Sequence, residues 1–139
     1  MSNQVDSLNA LLKGELSAVQ TYDMVLDKAK TPHVISTLSN CKACHAKRVD
    51  KLTELVERSG GTPATDAGAW GAFAKLVEAG AVIVGEGPAI GSLQEGEDHG
   101  IELYNAEMKH LEGNNLSIVE GELFEAQQRT QKALADLKV

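Results

Sequence analysis

The sequence predicts an all-α protein of four long helices packed as a bundle, with a helical crossover joining the second helix to the third. Three observations carry this. Apolar residues recur at alternating spacings of three and four through four separate stretches, the pattern of a helix that buries one stripe. The breaking signals Thr31-Pro32, Gly60-Gly61 with Pro63, Pro88 and Gly113-Asn114-Asn115 fall between those stretches. The composition is rich in Ala, Leu, Glu and Lys, which lose little freedom in a helix, and has three prolines in 139 residues.

The first helix is expected over about 4–29, with Val5, Leu8, Leu12, Val19, Tyr22 and Leu26 inward. Between Leu12 and Val19 the inward position falls on Glu15, a carboxylate where a leucine is expected. The second helix is expected over about 32–59, opened by a Thr31 cap and by Pro32, whose missing N–H is harmless at the first helical position. Its seam reads Ile35, Leu38, Lys42, His45, Val49, Leu52 and Val56, so Lys42 and His45 occupy its middle. A Gly- and Ala-rich crossover over about 62–87 carries a shorter helical pattern around Trp70, Phe73, Leu76, Val77 and Val84. Trp70 and Phe73 are read as its anchor onto the bundle or as part of a dimer contact.

Pro88 opens a third helix over about 88–112, with Ile90, Leu93, Glu97, Ile101, Tyr104, Met108 and Leu111 inward. Glu97 is the second carboxylate in a core seam. The fourth helix is expected over about 116–138, with Leu116, Val119, Leu123, Thr130, Leu134 and Leu137 inward and Gln127 or Gln128 near its middle. The two carboxylates share a context. Gly14-Glu15 is followed by Tyr22, and Gly96-Glu97 by Tyr104, each Tyr two helical turns after its Glu and on the same face.

Charge and hydropathy exclude several classes of partner. A net charge of −7 and a pI near 5.0 speak against nucleic acid and anionic membrane, since both recruit clustered Lys and Arg. The longest apolar stretch, Ala69 to Leu93, is interrupted by Lys75, Glu78, Glu86 and Pro88 and is not expected to span a membrane. The N-terminal residues lack a basic flank followed by an apolar run, so a cytoplasmic protein forming a single domain over 1–139 is expected.

Gly14-Glu15-Leu16-Ser17-Ala18-Val19-Gln20-Thr21-Tyr22, His45-Ala46 and the Gly60-Gly61-Thr62-Pro63 stop resemble the ferritin-like superfamily. Trp70-Gly71-Ala72-Phe73 and Gly96-Glu97-Asp98-His99-Gly100 resemble a small bacterial branch of it known mainly as a family of unknown function. The resemblance implies an up-down-down-up bundle that forms homo-oligomers, a dimer in the simplest case. It also implies a di-iron plan, one Glu from each of two helices and a Glu-x-x-His pair from each of the others. Glu15 and Glu97 match the lone glutamates and His45 the histidine of helix two. Lys42 stands where that helix needs a glutamate, and Glu125-x-x-Gln128 or Gln127 supplies no histidine in helix four.

Two inward carboxylates in a dry core cannot both stay ionised without a cation. One solution is a single iron, zinc or manganese ion on Glu15, His45 and Glu97, with Cys41 as an accessory ligand. The other needs no metal: Lys42 sits between the carboxylates, with Tyr22, Tyr104 and His45 hydrogen-bonded around it, and the protein has no robust catalytic activity. Cys41-Lys42-Ala43-Cys44-His45 also has the spacing of a c-type haem attachment site, with His45 as axial ligand, or of a dithiol redox pair. The structural reading of Cys41 and Cys44 is two small apolar side chains between helices. His33, His99 and His110 are expected at solvated positions.

Overall fold

The four stretches fold as helices in a computed structural model that describes residues 2–67 and 85–138. α1 spans Ser2–Lys28, α2 Pro32–Arg58 and α3 Glu86–Met108. The last helix, α4, runs through Gly113–Ile118, a π-helical turn at Val119–Leu123, and Phe124–Asp136. There is no strand among the described residues. The helical pattern expected around Trp70, Phe73, Leu76, Val77 and Val84 lies outside them. Gly113, read from sequence as part of a break, instead begins α4, its φ of +59° supplying the reversal after α3.

The end of α2 shows why the sequence stops there. Gly60 has a φ of +84°, its N–H donates to the Glu57 carbonyl, and the Gly61 N–H reaches back to the Val56 carbonyl at 3.0 Å. This is the paired closure that satisfies the last carbonyls of a helix. Asn9 of α1 then pins the chain beyond, donating to the Thr62 carbonyl and accepting from the Ala64 N–H. At the other end of α1, Glu86 accepts from the backbone N–H groups of Lys30 and Thr31 and from the Thr31 hydroxyl, so both ends of the connection between α2 and α3 are tied to the α1–α2 hairpin.

The helices touch in the cyclic order α1, α2, α4, α3. Glu15 meets Tyr104 while Tyr22 meets Glu97, so α1 and α3 run antiparallel. No helix among the described residues is long and apolar enough to cross a membrane.

The inward stripes follow three-four spacing, with the expected Leu12 and Val56 also fully buried beside them. On α1 the stripe is Leu8, Leu11, Glu15, Ala18, Tyr22 and Val25, and the expected Val5, Val19 and Leu26 are only half-buried. On α2 it is Val34, Leu38, Cys41, His45, Arg48, Leu52 and Leu55. The expected seam through Ile35, Lys42 and Val49 is therefore rotated by one residue, and Ile35 is 37% exposed. Two apolar clusters result. One gathers Val25, Leu38, Leu93 and Leu134; the other gathers Leu8, Leu52, Leu55 and Leu123. The side chains between them are polar.

A Gly60→Ala variant forces an L side chain into the left-handed region, which costs about 1–2 kcal/mol. Urea unfolding should show that loss, and an unchanged midpoint would contradict the assigned closure of α2.

Candidate functional site

The polar layer between the two clusters takes one carboxylate from α1 and one from α3, two cationic side chains from α2, and an amide and a hydroxyl from α4. Glu15, His45, Arg48, Glu97, Gln127 and Thr130 are each at most 4% exposed. His45 lies between the carboxylates, with Nδ1 2.5 Å from Glu15 Oε1 and Nε2 2.7 Å from Glu97 Oε2. Both ring nitrogens face an oxygen that only accepts, so the ring donates twice and is an imidazolium. Tyr104 donates to Glu15 Oε2 at 2.6 Å and Tyr22 to Glu97 Oε2 at 2.5 Å.

Arg48 closes the layer. Its Nη1 lies 3.3 Å from Glu15 Oε2 and donates to Gln127 Oε1 at 2.5 Å, while Nη2 donates to Thr130 Oγ1 at 3.0 Å. Gln127 Nε2 and Thr130 Oγ1 in turn donate to Glu97 Oε1 at 2.9 and 2.8 Å. Two carboxylates thus face two cations, and the layer is neutral. Breaking such a buried set by removing one partner costs about 3–5 kcal/mol.

Burial alone raises the pKa of Glu15, but Arg48 and then His45 overcome it and hold the carboxyl below its ordinary value. Glu97 is lowered in the same way, burial being offset chiefly by His45 and its hydrogen bond. Burial disfavours the charged ring of His45, yet Glu15 and Glu97 raise its pKa above the ordinary value. Burial and Glu97 push Tyr22 well up, so its proton stays on the phenol.

The layer repeats itself within the chain. One constant separation in sequence relates Glu15 to Glu97, Tyr22 to Tyr104, His45 to Gln127 and Arg48 to Thr130. The second half keeps the carboxylate and the tyrosine and places an uncharged amide and hydroxyl where the first half has its two cations. Gly100 makes room for this: a Cβ there would collide with the side-chain amide of Gln127. Beside it a cleft of about 20 Å³ between α1 and α3 passes Gly14, Ala18, Gly96 and Gly100 to reach Glu15 and His45. That is room for roughly one water molecule.

Glu15, His45, Glu97, Tyr22 and Tyr104 thus converge. Lys42 does not join them; it pairs on the surface with Asp23, and the cations at the carboxylates are His45, which bridges them, and Arg48, beside Glu15. Gln128 is exposed, and Gln127 takes the inward place. Cys41 is buried, its thiol pushed up to about 12 by burial and by Glu97, while Cys44 is half-buried. In the haem arrangement His45 would be the axial ligand, but here both of its nitrogens are engaged by carboxylates. His33 and His110 are exposed, His33 donating to the Lys138 carbonyl, and His99 is half-buried at the cleft. Arg48 was the residue missed. The signal for it was the alternative stripe Val34, Leu38, Cys41, His45, Arg48, Leu52 and Leu55, whose spacing is as regular as that of the seam containing Lys42.

Residues 3–110 match the family model described as Domain of unknown function (DUF2383). The chain belongs to this family. The span that matches DUF2383 holds Glu15, Tyr22, His45, Arg48, Glu97 and Tyr104 and ends before α4, which supplies Gln127 and Thr130. No curated protein and no solved structure matches the chain.

The sign of each shift fixes a pH profile. Glu15 and Glu97 hold their protons less firmly than the ordinary 4.5, so their contribution is present above that pH and fades as pH falls below it. His45 holds its proton more firmly than the ordinary 6.5, so its contribution is complete below that pH and is lost as pH rises through the folded value. Thermal unfolding across pH should therefore peak in the mildly acidic range, and His45→Gln should flatten the alkaline arm. An alkaline arm unchanged in that variant would contradict the assigned protonation.

Proposed function

We propose that the chain is a ferritin-like up-down-down-up bundle whose metal centre has been replaced by an internal ion network. On this reading it is a non-catalytic binding or stress-associated protein that works as a homo-oligomer. The observation that carries it is the pair of cations at the two carboxylates, His45 bridging Glu15 and Glu97 and Arg48 beside Glu15.

The donor set supports this against a di-iron centre. That plan needs a Glu-x-x-His pair from each of two helices. The inward pairs of matching spacing on α2 and α4 are His45-x-x-Arg48 and Gln127-x-x-Thr130. Every carboxylate oxygen already accepts at least one hydrogen bond. A divalent ion would add its charge beside two cations, and His45 would have to lose a proton to become a ligand. The residues present do not fit the di-iron group. The narrow cleft likewise offers no space for an organic substrate.

A second reading has one specific observation in its favour. Glu15 and Glu97 each lie within hydrogen-bond distance of His45, at opposite ring nitrogens, which brings the three side chains that a single iron, zinc or manganese ion would use into one layer. Elemental analysis of protein purified without chelator separates the two. The ion network predicts no stoichiometric metal and an Arg48→Met variant destabilised by about 3–5 kcal/mol. Adding Glu15→Gln should recover part of that loss, because it removes the carboxylate left unpaired. A stoichiometric metal that vanishes in Glu15→Ala would overturn the ion network in favour of the metal site.

A further inference from the structure

The ion network leaves Cys41 and Cys44 without a role. They stand one turn apart in the interior of α2, Cys41 buried in the apolar cluster that holds Tyr22 and Cys44 half-buried toward solvent. Both thiols are free, and neither is in a disulfide.

Helix geometry decides what such a pair can hold. Side chains at i and i+3 of an α-helix have Cβ atoms about 5–6 Å apart. A disulfide needs about 3.5–4.5 Å between them. Closing one would bend α2 immediately before His45 and Arg48, whose places are fixed by the buried layer. A cation bound by two sulfurs in a straight line makes no such demand: two metal–thiolate bonds of about 2.3 Å span roughly 4.6 Å.

We propose that Cys41 and Cys44 form a two-coordinate site for a thiophilic, monovalent d10 cation, copper(I). Soft thiolates bind copper(I), zinc and iron–sulfur clusters alike, but zinc takes four ligands, so ligand number is what favours copper(I) at a pair of thiols. Among the described residues no group of three or more His, Cys, Asp or Glu side chains is arranged for a metal. A cation satisfied by two ligands suits a site with only two. Entry is from the Cys44 side. Binding releases two thiol protons and leaves one negative charge, and the Arg48 guanidinium lies next to Cys44, its Nε 3.5 Å from the Cys44 carbonyl. Glu97 and burial keep the free Cys41 thiol protonated, so the pair stays quiet until a cation displaces that proton. The two ligands are not members of the ion network, so copper binding can fail while the network stands.

The test is anaerobic titration of the reduced full-length protein with copper(I) in competition with bicinchoninate. One equivalent per chain should bind, and X-ray absorption should show two sulfur neighbours. Cys41→Ala and Cys44→Ala should each weaken binding by at least about a hundredfold, since each removes one of two bonds. Circular dichroism checks the fold of both, and Cys44→Ala, at the half-buried position, keeps the test valid should Cys41→Ala unfold. Wild-type affinity in Cys44→Ala, nitrogen or oxygen neighbours in place of sulfur, or failure to compete with bicinchoninate would each overturn the proposal.

Discussion

The structure depends on keeping two buried carboxylates ionised. Glu15 and Glu97 reach the same layer from antiparallel helices, and both are buried. His45 bridges them and Arg48 completes the balance, so α1, α2 and α3 are joined through one imidazolium. α4 enters through Gln127 and Thr130, which relay between Arg48 and Glu97. A slip of any helix by one residue would strand a charge, which is how a polar layer can fix register in a core otherwise made of interchangeable aliphatic side chains.

Much of this was legible in the sequence. Glu15 and Glu97 break apolar seams at equivalent points, each with a tyrosine two turns later, and the structure pairs each Glu with the other's tyrosine. The antiparallel packing of α1 and α3 explains the exchange. The stop of α2 was legible too, because Gly60 adopts a backbone angle that few other residues tolerate.

The cation was misassigned for a physical reason. Two stripes of α2 share Leu38, His45 and Leu52 and satisfy the same three-four spacing, one containing Lys42 and the other Arg48. Spacing alone cannot choose between them. The choice is made across the layer, where a planar guanidinium reaches Glu15, Gln127 and Thr130 together, a fork that an ammonium lacks. Gln127 prevails over Gln128 for a related reason, since the inward place depends on the gap left by Gly100 on a helix distant in sequence.

The buried layer gives the protein a centre in which charges are balanced, with a separate thiol pair on the same helix. The protonation of His45 lies at the root of that description. Nitrogen-15 NMR of the His45 ring at neutral pH measures it directly. Two protonated nitrogens, each with a strongly hydrogen-bonded proton, are the predicted result; a neutral ring with one bare nitrogen would contradict the account.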